Sequence, residues 1–220
     1  VLVDAPCSGL GTLRRNPVEV IQVPNRVVKP RRFALIVQVN GVTWRRIQVE
    51  ISPDEGSAGT HGEPVPAPSL AGFGLPTPDH LTGLAMRYQI AQKVHAVSDP
   101  HDPPDFQNDR ARDVVDLLLL RDLIRETGSP THPEVKAAIL DIFDTRARDA
   151  ATLGYPERTW PARITPYPHW TASFERAAQS AAVADTLEQA AAQALALPIF
   201  QGLTEGEQID VVGALAKFVR

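Results

Sequence analysis

Between residues 52 and 80 the chain carries Pro53, Pro64, Pro66, Pro68, Pro76 and Pro78 among glycines, serines and histidines. Each proline fixes φ and removes a backbone donor, so a continuous helix cannot cross this stretch and a central strand cannot run through it. The expectation is a segment without regular structure, either a long ordered loop or a linker. It separates a strand-like beginning from a helix-like remainder. The predicted organisation is a strand-rich subdomain over 1–52, a linker over 53–80 and a helical domain over 81–220. The fold class that follows is α+β, a small antiparallel sheet and then a bundle of about five helices.

The sheet rests on a hairpin over residues 33–51. Asn40-Gly41 lies between two strand-like runs, and a type I′ turn needs positive φ at both central positions. Pairing Val39 with Val42 predicts Val37 opposite Trp44, Leu35 opposite Arg46 and Arg31 opposite Glu50. Glu50 then has Arg31 or Arg46 as a cross-strand ion-pair partner. Downstream, Leu81, Leu84, Ala85, Tyr88 and Ala91 share one stripe and predict a helix from 81. A second helix is expected from about Asp109 to Arg125, apolar nearly all round and therefore central. Thr131/Glu134, Asp185/Glu188 and Thr204/Glu207 have capping-box spacing and open three more.

Composition narrows the classes of function. Lys and Arg number 22 against 26 Asp and Glu, so bulk positive charge does not point to nucleic acid, although local patches remain open. One cysteine cannot form an internal disulfide, and no apolar run approaches the roughly 20 residues of a membrane span. The expected compartment is the cytosol. A start at Val1 suggests a fragment. No two of the six histidines stand at i, i+4 around a carboxylate, so no metal ligands are assigned.

Chemistry is most concentrated around Lys93, Asp113 and Asp116. A lysine in a packing helix and two carboxylates at i, i+3 in an apolar helix cannot be buried unpaired, because desolvating a charge costs several kcal/mol. Two readings stay open. A Lys93–Asp or Arg112–Asp116 pair sets the helix register, or an Asp fixes the rotamer of a phosphate-binding Lys93.

Three resemblances attach to particular residues. Tyr88-Gln-Ile-Ala-Gln-Lys93-Val-His-Ala96 followed by Arg110-Ala-Arg-Asp113-Val-Val-Asp116-Leu resembles the lysine helix and the Arg-x-x-Asp-Leu-x-Asp helix of AbiEii-type nucleotidyltransferase toxins. The strand Ile47-Gln-Val-Glu50-Ile-Ser and the Trp160-to-Ala190 tail are similar to the same family, so the likeness spans about residues 25–195. It implies a nucleotide held between a small sheet and a helical domain. Asp113, Asp116 and Glu50 would be catalytic, and Lys93 and Arg112 would bind the nucleoside triphosphate. It further implies Mg²⁺, transfer to tRNA or another acceptor, and a cognate antitoxin as partner. The family's Gly-Ser turn and Asp-x-Asp metal clamp have no counterpart here, so an incomplete enzyme with an incomplete Mg²⁺ site is expected.

Val1-Leu-Val-Asp4-Ala-Pro-Cys7-Ser-Gly resembles the Pro-Cys motif of Sun/RsmB-type RNA cytosine-C5 methyltransferases over residues 1–17. Those enzymes use two cysteines and this chain has one, matching the releasing thiol. Residues 195–220 look like the tail of DegT-type aminotransferases, without a Schiff-base lysine. The combination suggests a chimera or fragment. A non-catalytic helical interaction module and an RNA methyltransferase fragment are the alternatives to a nucleotidyltransferase.

Overall fold

The computed structural model describes residues 12–15, 19–20, 26–39, 41–74, 76–162 and 164–195. They form two antiparallel sheets and five α-helices, an α+β fold. The chain divides into two compact units, 1–54 with 148–156, and 55–147 with 157–220. Asp4, Cys7 and the helix expected after Thr204 lie outside the described residues.

In the first unit β3 (Arg31–Val39) is the central strand. Along one edge it pairs with β4 (Val42–Ile51); along the other it meets β1 (Thr12–Arg15) and β2 (Glu19–Val20) in succession. Gly41 takes φ +77°, as the turn demands. Val39 faces Val42, but a bulge between Val37 and Gln38 shifts the rest of the expected register by one. Val37 opposes Arg45, Leu35 opposes Ile47 and Arg32 opposes Glu50, which leaves Trp44 as the extra residue.

The bulge has a physical reason. Partners directly opposite share a face, and a one-residue slip exchanges faces. With Trp44 looped out, Phe33, Leu35 and Val37 share a face with Ile47, Val49 and Ile51, and Arg31 and Arg45 stand at its two ends. Arg46, Gln48 and Glu50 gather on the other. The straight register would have mixed them.

In the second unit β5 (Gly62–Pro66) pairs with β6 (His80–Leu84), Pro64 opposite Thr82 and Pro66 opposite His80. Residues 53–80 therefore do carry regular structure, contrary to the expectation from their prolines. A two-stranded sheet leaves each strand a free edge, where a missing N–H costs nothing. Leu81 and Leu84 belong to this ribbon, so the first helix, α1, begins later, at Met86, and runs to Val97. Glu63 sets the start: its Oε2 accepts the Met86 N–H at 3.0 Å, one of the donors that a helix leaves unpaired at its first turn.

The core lies among the helices. Helix α2 (Ala111–Thr127) buries Val114, Val115, Leu117 and Leu118 against α1, α4 (Thr171–Ser180) and α5 (Leu187–Leu195). Helix α3 (His132–Leu153) starts at the predicted box, where the Thr131 N–H and hydroxyl donate to Glu134 Oε2 at 2.8 and 2.7 Å. The box of α5 lies one residue beyond Asp185: Thr186 N donates to Gln189 Oε1 and Gln189 N to Thr186 Oγ1. Helix α4 was not anticipated. Among the described residues no helix is long and apolar enough to cross a membrane.

Candidate functional site

The site is positioned by a buried asparagine. Asn108, 2% exposed, donates from Nδ2 to the carbonyls of Asp99 at 2.8 Å and Ala96 at 3.3 Å, past the end and in the last turn of α1. Its Oδ1 accepts the Arg110 N–H at the head of α2, and its carbonyl accepts Trp170 Nε1–H at 2.6 Å, just before α4. A buried amide satisfied in this way fixes its neighbours, because any displacement leaves a polar group without water. The residue thereby ties the end of α1 to the starts of α2 and α4.

With α1 and α2 so joined, Lys93 meets both aspartates. Its Nζ donates to Asp113 Oδ1 at 2.7 Å and to Asp116 Oδ2 at 2.6 Å. Asp113 and Asp116 stand three residues apart on one helix face, so a single ammonium can reach both. The Lys93 side chain is 26% exposed, against 17% for Asp113 and 46% for Asp116. Burial works against the charge on Lys93, but bonds from two carboxylates outweigh it and hold the pKa above the ordinary lysine value. An ammonium has three donors; the third has no acceptor among the described residues. Arg110 Nη1 approaches Asp113 Oδ2 at 3.8 Å.

Arg112 lies beside this cluster without joining it. It lines a groove of about 520 Å³ between α2 and α4, together with Val115, Asp116, Ser173, Arg176, Ala177, Ser180 and Ala181. The α2 residues recur at i, i+3, i+4 and the α4 residues at i, i+3, i+4, i+7, so the groove runs between one stripe of each helix. Arg112 and Arg176 are exposed, and neither has a carboxylate partner among the described residues. The Arg112–Asp116 pair considered from the sequence is not formed. Asp116 pairs with Lys93 instead.

Glu50 belongs to the first unit, where its Oε1 accepts Arg32 Nε and Nη2 at 2.9 and 2.7 Å. The partner is Arg32 and not Arg31 or Arg46, as the bulge requires. A second polar cluster escaped the sequence reading: Arg158 donates to the His95 carbonyl and to Ser98 Oγ and contacts Asp99. Burial raises the Asp99 pKa and lowers that of Arg158, so desolvation outweighs their attraction. Arg176 and the α2–α4 groove also went unread. Their only signal was the Phe174/Ala178 spacing behind Pro168, obscured by the prolines around it.

Among the described residues no three His, Cys, Asp or Glu side chains converge as a metal site, and the two carboxylates nearest that role are bridged by Lys93. No family model matches the chain, and comparison with curated proteins finds no match.

Proposed function

We propose that the helical unit is the phosphate-gripping part of an AbiEii-like nucleotidyltransferase. The observation that carries this reading is the Lys93 clasp. Two carboxylates hold the ammonium at 2.6 and 2.7 Å and leave one N–H for a phosphoryl oxygen. A lysine with its rotamer already fixed loses less entropy on binding than a free one. Asp113 and Asp116 act as positioning residues. Arg112 adds a second cation on the groove side of the cluster.

The described residues do not fit Mg²⁺, since a dication between Asp113 and Asp116 would have to displace the ammonium. No transfer step is therefore assigned to this chain alone. Its part is to bind and orient the triphosphate, while the acceptor, a tRNA end or another hydroxyl, follows the resemblance. The rival reading is a scaffold in which the same clasp locks α1 to α2; the full use of Asn108 as a fastener favours it.

Calorimetric titration of ATP, GTP, CTP and UTP, with and without Mg²⁺, decides between them. At least one triphosphate should bind, and Lys93→Ala, checked by circular dichroism to be folded, should weaken it about tenfold or more. Absence of binding at millimolar nucleotide, or unchanged affinity in Lys93→Ala, leaves the scaffold. S-adenosylmethionine in the same assay tests the methyltransferase alternative.

A further inference from the structure

We infer that the α2–α4 groove is a binding site for a small phosphomonoester that also carries a hydroxyl, of the sugar phosphate or nucleoside monophosphate class. The chain as a whole is net negative, −4, yet Arg112 and Arg176 face one groove with no carboxylate partner among the described residues. Guanidinium groups present planar pairs of N–H donors that match phosphoryl oxygens, and two arginines across a groove can share a dianion. Ser180 adds a hydroxyl on the same stripe.

Asp116 is the one acid in the lining, and its place gives the ligand a second feature. Lys93, shared with Asp113, pairs with it from outside the groove through Oδ2. Its Oδ1 has no bonded partner among the described residues, so it can accept a hydrogen bond from a ligand hydroxyl. Val115, Ala177 and Ala181 supply an apolar floor, and about 520 Å³ suits a small organic molecule. Cations for the phosphoryl group, a carboxylate for the hydroxyl and a small apolar floor describe a phosphorylated polyol. The inference stands on the groove itself and does not require Lys93 to contact the ligand.

The test is calorimetric titration of the full chain at low salt with inorganic phosphate, ribose 5-phosphate and adenosine monophosphate. Binding of either organic phosphate more tightly than inorganic phosphate is expected, the tighter of the two identifying the class. Arg176→Gln should weaken it about tenfold or more. Arg125→Gln removes an equal charge from the far end of α2, where the side chain is 64% exposed, and should leave affinity unchanged. Equal losses in both variants would mean unspecific charge attraction and overturn the inference, as would no binding at millimolar ligand. Failure here with triphosphate binding still dependent on Lys93 rejects the groove and spares the proposed function; the opposite pattern does the reverse.

Discussion

Replacing Lys93 with Met keeps most of the side-chain stem and removes only the charge, so it isolates the clasp. The Asp113 arm joins side chains 26% and 17% exposed at 2.7 Å, and a charge-assisted bond in such a place contributes about 2 kcal/mol. Asp116 is 46% exposed, so solvent screening holds its arm to about 0.5 kcal/mol. The expected loss is about 2.5 kcal/mol, reduced somewhat where Arg110, at 3.8 Å, takes over Asp113. Urea unfolding should be followed by Trp160 and Trp170 fluorescence in a Trp44→Phe background, since Trp44 is 68% exposed and sits in the other unit. The midpoint should fall at unchanged m-value, and adding Asp113→Asn should recover part of the loss. The pH dependence has a definite sign. The folded pKa of Lys93 lies above the unfolded value near 10.5, so its contribution is complete below that pH and disappears as pH rises through the folded pKa. The gap between wild type and variant should thus be flat from pH 7 to about 10 and close above it. A loss under about 0.5 kcal/mol, or a gap that already closes between pH 7 and about 9, would refute the reasoning.

Gly56→Ala should destabilise the second unit by about 2 kcal/mol, because φ is +57° and the new Cβ would stand 2.5 Å from the Asp141 carboxylate that accepts the Ser57 N–H and Tyr88 hydroxyl. Gly128→Ala, at φ +70° in open space, should lose visibly less in the same thermal melt. Thr186→Ala should lower helix stability by about 1 kcal/mol through loss of the cap, measured by urea titration. Asp185→Ala instead removes the acceptor of Gln193 Nε2, so a larger cap-like loss at Asp185 than at Thr186 would contradict the observed box. Burial raises the folded pKa of Asp99, so the folded state takes up a proton there before the unfolded one and this residue favours stability as pH falls toward 3.8. Relative to Asp99→Asn, the wild type should lose less stability between pH 7 and 4; the opposite ordering would mean that the attraction of Arg158 outweighs burial.

Local rules served where the physics is local. Asn-Gly flanked by β-branched runs specified a hairpin, and Thr131/Glu134 specified a helix start, because both act within four residues. They failed where an alternative partner lay close in sequence. The bulge at Trp44 was decided by the match of apolar residues across two strands, which no turn rule contains. Leu81 and Leu84 fitted a helical stripe, but Glu63 caps α1 at Met86 and β5 offers a strand partner. The charges of the candidate site were legible as an anomaly: Lys93 and Asp113/Asp116 needed partners, and they found each other.

The sequence by itself determined the α+β class, the hairpin, the apolar α2 and the need to pair Lys93, since each follows from spacing and from the cost of burying charge. Only the tertiary structure decided that one ammonium takes both aspartates, that Arg112 and Arg176 line one groove, and that a proline-bearing segment forms a ribbon. The reason is that these depend on elements far apart in the chain. Asn108, unremarkable in sequence, contributes to the first two by joining α1, α2 and α4 at one point.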